Sequence, residues 1–513
     1  MKKTIFNLII LSFFSVTLLI SSSIQGAPRY GGILKINHNA GASARQVAAP
    51  ADTVQALQRY ARMIFDPILT CDVREQIKPW LAESFEISPD GKVITLRLRK
   101  GIKFHDGTDF NAEAVKFNLE LAKKNKINSS AVLDNVTSYI IPDPYTIKFN
   151  LAKYNCTFLL TLAQTPVGLM ASPTAMQKPT TPDNITQVHM VGTGPFMFDS
   201  WQRDNYLRVK KNPNYWQKGQ PYLDGIEFRN VSDVTISIMS FKAKETNCVL
   251  TIDPIDAVNL KKEGYQIVVP PMHLIHSLCP DGANPNSPFA NLKVRQALEY
   301  AIDKKGMAEG IGMGYFEPVT QFAAKSDGWY DPNIPAREYN VQKAKQLLAE
   351  AGYPNGVKTK LVSDVRVRSD TLVAVQTYLK EAGFDCTLDK ADAARSMELT
   401  VKGWEGILMP GFPTAVNTAA LTARFYTPNY PSMYRPAGWN QKWEAMLSQI
   451  DDKERIKQLK ELVRIMFDEV MIIPYQSDSS RAVLDGTVVG FAETYQINNN
   501  ADYWEPGIVY LTK

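Results

Sequence analysis

Cysteine and histidine are both scarce, five of each in 513 residues. Cys71, Cys156, Cys248, Cys279 and Cys386 lie far apart, so no CxxC pair offers zinc or dithiol chemistry. Their odd number leaves at least one thiol unpaired within the chain even in an oxidising compartment. Small buried hydrophobes is the reading that fits most of them. Of the histidines, only His273 and His276 are close, three apart in a predicted strand whose side chains alternate faces. They would point to opposite sides, and no metal site is expected. No GxSxG elbow, HExxH helix or GxxxxGK[ST] loop occurs, which removes the common hydrolase, zincin and phosphate-loop readings. Gly310-Ile311-Gly312-Met313-Gly314 follows a helix and reads as a connector. Gly192-Thr193-Gly194 runs through Pro195 into alternating Phe196 and Phe198, and so opens a strand. Dense Lys/Arg blocks are missing, and the formal net charge is only +5, which argues against nucleic acid as a partner. Neither enzyme chemistry nor a cofactor is expected. Beyond the first twenty residues no apolar run approaches the length needed to span a bilayer.

That first run is itself informative. Lys2 and Lys3 precede an apolar stretch from Thr4 to Ile20, followed by Ser21-Ser22-Ser23 and the small residues Gly26 and Ala27. This is the layout of a secretory signal peptide over residues 1–26, cut after Gly26 or one residue later. The rival reading is an uncleaved anchor. With no cysteine near the cut to carry a lipid, a free periplasmic protein is expected rather than a lipoprotein. About 487 residues would then remain, more than one hydrophobic core usually organises, so two or three lobes are expected.

Strand-like and helix-like stretches alternate along this remainder. After the turn Ser88-Pro89-Asp90-Gly91, Ile94, Leu96 and Leu98 alternate with Thr95, Arg97 and Arg99, as in a half-buried strand. Asn111 is a good N-cap for a helix carrying Val115, Leu119 and Ala122, and Asn291 for one carrying Val294, Ala297, Leu298 and Ala301. Ala344, Leu347, Leu348 and Ala351 repeat the pattern up to Gly352. Leu372, Val375, Leu379 and Ala382 do so up to Gly383, ahead of a strand with Phe384, Cys386 and Leu388. A last long helix carries Leu459, Leu462, Val463 and Met466. The expected fold class is α/β, with mixed sheets flanked by helices.

Eight phrases in order resemble one family closely. They are Leu81-Ala82-Glu83-Ser84-Phe85 with Ser88 to Lys92, Leu98 to Gly107, Asn111 to Phe117, and Gly192-Thr193-Gly194-Pro195-Phe196. Asn212-Pro213-Asn214-Tyr215-Trp216, Pro221-Tyr222-Leu223-Asp224, Val294-Arg295-Gln296-Ala297-Leu298 with Ala301-Ile302-Asp303, and Ala344 to Leu348 with Ala351 to Pro354 complete them. Together they are similar to the extracellular solute-binding proteins of family 5, the peptide-, nickel- and oligosaccharide-binding receptors of ABC importers. The similarity runs from about residue 30 to 491.

The resemblance implies a two-lobed periplasmic binding protein of the three-domain type, closing on its ligand at a cleft between lobes. It places a discontinuous domain I at 27–57, 192–272 and 486–513, domain II at 58–191 and domain III at 273–485. The implied partners are a peptide or other small organic ligand and the membrane permease of the importer, with the receptor itself a monomer. A secreted hydrolase or chaperone-like protein is the alternative. Relatives carry a Gly-Trp-x-Gly phrase, here Gly403-Trp404-Glu405-Gly406, and dipeptide binders place an aspartate shortly after it to hold the ligand ammonium. Ile407 to Ala419, which includes Phe412 and Asn417, holds no carboxylate. Dipeptide binders also hold the ligand carboxylate with an arginine after a domain III strand, and Val365-Arg366-Val367-Arg368 sits in that place. Either Arg366 or Arg368 is a candidate, or both are solvated surface charges. Trp404, Phe412 and Tyr475 are candidate apolar walls or ordinary core, and Asn417 is a candidate contact. The expected ligand bears a carboxylate and no essential free ammonium.

Overall fold

The asparagines that mark helix starts in the sequence do cap helices in the computed structural model. Asn111 accepts from the Ala114 amide at the start of Ala112–Lys124, and Asn291 from Lys293 at the start of Leu292–Tyr300. Each satisfies an amide that the first helical turn leaves without a partner. The structure describes residues 27–38, 58–72, 74–127, 129–181, 184–270, 274–411, 414–415, 417–426, 428–495 and 504–512. The signal segment, His273 and Phe412 lie outside the described residues. Among the described residues no helix is long and apolar enough to cross a membrane.

Followed along the chain, strand β1 (Ile33–His38) founds a first sheet. A four-stranded antiparallel sheet comes next, in the order Ala82–Ile87, Val93–Leu98, Thr146–Leu151, Val136–Asp143. The alternation read in the sequence is visible here: Ile94, Leu96 and Leu98 are buried with Val115, Leu119 and Ala122 of the capped helix in one core. Helix α1 (Thr157–Gln164) closes this unit. The chain then returns to the first sheet with the meander Phe196–Gln202, Tyr206–Lys211 and Gly225–Asn230, followed by strand β2 (Cys248–Leu250), helix α2 (Pro254–Lys262) and Gln266–Val268. β1 runs parallel to both Gly225–Asn230 and β2.

After Gln266–Val268 the chain passes to a second sheet. Its strands include β3 (Leu274–Pro280), β4 (Val357–Asp364), β5 (Ile407–Met409) and the two-residue β6 (Thr414–Ala415). Helices α3 (Thr418–Phe425) and α4 (Asp452–Asp468) precede its last strand, β7 (Ile473–Asp478). β4 is parallel to Phe384–Ala391 and to β5, whereas β3 is antiparallel to β5, β6 and β7. Period-two alternation divides the core of this lobe between the two faces of the sheet. Leu361, Ile407 and Met409 go to one side, and Val362, Leu408 and Ile275 to the other. The chain crosses back over residues 479–481 and ends the sheet pairing as β8 (Ala482–Leu484), which inserts between β2 and Gln266–Val268. The return crossing thus comes before Ala482, a few residues ahead of the boundary the sequence suggests between 485 and 486.

Candidate functional site

Two crossings join the sheets, and open α/β sheets take ligands beyond the carboxyl ends of their parallel strands. Those ends lie at His38, Asn230 and Leu250 in the first sheet and at Asp364, Ala391 and Met409 in the second. The two sets meet at Arg368. Its Nη1 donates to Asp253 Oδ1 at 2.5 Å, just past β2, while Nη2 donates to Asp370 Oδ2 at 2.7 Å. One arginine of the second lobe thereby reaches a carboxylate of the first. Arg481 secures the return crossing: its Nε donates to the Ile252 carbonyl at 3.0 Å and its Nη1 to Asp478 at 2.6 Å.

Arg366 turns inward on its own loop. Its backbone N and Nε donate to Asp364 Oδ1 at 2.8 and 2.7 Å, and Nη2 donates to Oδ2. Asp364 is fully buried. Burial alone would raise its pKa, but hydrogen bonds from Arg366 and Ser396 outweigh that and hold the carboxyl below its usual range. Gly411 crosses directly over this pair. A Cβ there would stand 2.5 Å from an Asp364 carboxylate oxygen, so only glycine lets the chain after β5 pass so close.

Trp404 is 6% exposed, its indole Nε1 donating to the Cys279 carbonyl at 2.9 Å and its ring edge-to-face with Tyr430 at 5.9 Å. Tyr475 is buried on β7 in the core on the opposite face of the sheet, where burial raises its hydroxyl pKa. Asn417 caps α3, its Oδ1 accepting from the Ala420 amide at 2.7 Å. The structure therefore brings only Arg366 and Arg368 together at the strand ends, each already facing a carboxylate. Trp404 and Tyr475 are separated by the sheet.

Sequence reasoning missed two residues. Glu75 lies in the turn between strands Leu69–Cys71 and Ile77–Pro79 of the first lobe, in a left-handed conformation with φ 60°. Its carboxylate crosses to the second lobe and accepts from the Thr418 amide at 2.8 Å and the Thr418 hydroxyl at 2.6 Å. It thus satisfies the start of α3 from another lobe. Burial raises the Glu75 pKa, against the opposing effect of the Thr418 bonds and the Arg455 charge. Beside it the Cys156 amide donates to the Leu447 carbonyl at 2.8 Å, again between lobes. The second missed residue is Arg424, buried in the last turn of α3. A lone glutamate in a turn and a lone arginine in an apolar helix carry no sequence pattern of their own. All five cysteines are free.

Known proteins share this fold. The family model for bacterial extracellular solute-binding proteins, family 5 middle, matches residues 76–430. The glutathione-binding protein GsiB of Shigella flexneri is 32% identical over 408 residues, covering 77% of each chain. The periplasmic binding protein DppA of Helicobacter pylori, solved with the peptide STSA, superposes with TM-score 0.77 at 23% identity. The binding protein AgaA of A. tumefacien R10, solved with agropinic acid, gives 0.77 at 24%. Both superpositions cover 94% of this chain and 99% of the other, and they show the fold. The chain belongs to the bacterial extracellular solute-binding proteins of family 5, the ligand-capturing subunits of ABC importers.

Proposed function

We propose that the chain is an exported, monomeric periplasmic receptor for a small carboxylate-bearing solute, peptide or peptide-like, which it encloses between two lobes and hands to a membrane permease. The signal segment 1–26 is removed in this reading, and no lipid is attached. Domain I comprises 27–57, 192–272 and 486–513 together with β8, domain II is 58–191, and domain III is the remainder between the two crossings. The observation that carries the reading is the pair of contacts from lobe to lobe, Arg368 with Asp253 and Glu75 with Thr418. Such contacts exist only when the lobes are together, and a ligand touching both lobes shifts the population toward that state.

The ligand class follows from charge. Between Ile407 and Ala419 no carboxylate is available, so a ligand ammonium would have to be met outside that stretch, since enclosing one without an opposite charge is strongly disfavoured. GsiB is named for glutathione, and the DppA and AgaA structures hold the peptide STSA and agropinic acid; each of these solutes carries a carboxylate, and glutathione and the peptide carry an ammonium as well. Arg366 and Arg368 stand at the rim of the cleft, and Trp404, Asn417 and Tyr475 brace the second lobe behind it. The test is native mass spectrometry of protein purified from its own host, joined to small-angle scattering with and without the co-purified solute. A bound acid and a smaller radius of gyration on binding are expected. A protein that carries nothing and keeps its radius in a mixed peptide digest would sink the reading.

A further inference from the structure

Among the described residues of the second lobe, Arg424 is a buried guanidinium that no carboxylate meets. Arg424 is 5% exposed. Its Nη1 donates to Thr414 Oγ1 at 2.5 Å and its Nη2 to Ser277 Oγ at 3.2 Å, with Cys279 Sγ at 3.3 Å. The Tyr430 ring lies 4.6 Å from its central carbon. Its Nε has no hydrogen-bond partner. Arg366, Arg368, Arg337 and Arg481 each pair with a carboxylate, but among the described residues Arg424 has only these neutral partners. Enclosing a cation without its opposite charge is among the most costly arrangements in a protein interior, and an anion brought to the free Nε edge would relieve it.

The place is right for the transported solute. Thr414 lies on β6, which pairs with Leu274 and Ile275 at the very start of β3, immediately past the first crossing between lobes. Ser277 and Cys279 follow on β3. The guanidinium therefore sits at the hinge end of the second sheet, in the last turn of the helix whose first residue is held by Glu75 of the first lobe. An oxygen on Nε would compete with no hydrogen bond, and one on Nη2 would compete with Ser277 Oγ or the weak acceptor Cys279 Sγ. Those two nitrogens are one edge of the planar fork that matches a carboxylate bidentately.

We propose that Arg424 is the anion anchor of the binding cleft, taking a carboxylate of the solute on its Nε edge. The inference rests on the reading of the chain as a receptor for carboxylate-bearing solutes and assigns the residue that reads the carboxylate. It predicts that the bound solute reaches the hinge end of the second sheet, deeper than the rim arginines.

The test compares the full mature chain with Arg424→Met, which keeps the stem and removes the charge. The probes are reduced glutathione, glutathione diethyl ester and a mixed peptide digest, read by calorimetry and by melting temperature. The wild type is expected to prefer the free acid over the diester by about a hundredfold. Arg424→Met should lose that preference, with a ligand-free melting temperature equal to or above that of the wild type, because an unmatched buried charge has been replaced by apolar surface. An undiminished preference in the variant overturns the assignment. So does a fall in ligand-free melting temperature of more than about 5 °C, which would mark Arg424 as a structural residue. Should the wild type bind none of the probes, the receptor reading loses its ligand class. The ligand-free melting temperatures still decide whether Arg424 carries an unmatched charge.

Discussion

Glu75, in a left-handed turn of the first lobe, accepts both the amide and the hydroxyl hydrogen of Thr418 at the first turn of a helix in the second. The two residues are 343 positions apart. Hydrogen bonds to a charged group contribute roughly 1.5–3 kcal/mol, and here that contribution is made only when the lobes meet. Glu75→Ala is expected to weaken ligand binding by about tenfold or more through the open-closed equilibrium, with the second lobe's own fold intact. Calorimetry together with scattering in saturating ligand checks it. A variant that binds and closes like the wild type would remove Glu75 from closure.

The rim arginines are expected to behave differently from one another. Arg368 and both of its carboxylates are part-exposed, so Arg368→Ala should cost no more than about 1 kcal/mol, and less at high salt. Arg366 neutralises the buried Asp364. Arg366→Ala should therefore cost roughly 3 kcal/mol of stability, restored in large part by the double change with Asp364→Ala. Chemical denaturation of the three variants separates these outcomes.

Gly411 tests the packing of the same loop. A methyl group at this position meets the Asp364 carboxylate at 2.5 Å, and overpacking of this kind typically costs about 1–3 kcal/mol. Gly411→Ala should lower the melting temperature. An unchanged value would mean that the loop after β5 moves freely away from β4.

His105 predicts a pH dependence. Its Nδ1 accepts from the Gly192 amide at 3.3 Å and its Nε2 faces the Gly194 carbonyl at 3.0 Å, which suits only the neutral ring. Burial lowers its pKa to about 4, against the Gly194 bond and the Asp106 charge. Because the folded pKa is depressed, the unfolded chain binds the proton first as pH falls below about 6.5, and stability drops until about pH 4. Between pH 7 and 5 this one group should cost at most about 2 kcal/mol. His105→Gln should show a correspondingly shallower loss over that interval in denaturant titrations.

Much of this molecule is written locally. Asn111, Asn291 and the alternation at Ile94, Leu96 and Leu98 each state their own structure within a few residues, because caps and period-two patterns depend only on near neighbours. The family phrases share that property, which is why the fold was legible from them. The cleft was not. Arg366 and Arg368 could be placed at the end of a strand, but their partners are set by folding: Asp364 is two residues away in sequence, whereas Asp253 belongs to the other lobe. Trp404 was conspicuous as a large aromatic in a recurring phrase, yet it holds Cys279 within the core. Glu75 meets Thr418 across 343 positions and Arg424 meets Ser277 across 147, and no local pattern announces such contacts.

The position of β8 has a consequence for biogenesis. This three-residue strand, from nearly the last part of the chain, is the one that joins Gln266–Val268 to the rest of the first sheet. Until Ala482–Leu484 has been synthesised, β2 stands as an unpaired edge and the lobe built on β1 cannot close its hydrogen-bonding ladder. Pairing over so long a separation is intrinsically slow. A nascent chain thus cannot complete this sheet before Ala482–Leu484 has emerged, even though every other strand of it has been made more than two hundred residues earlier.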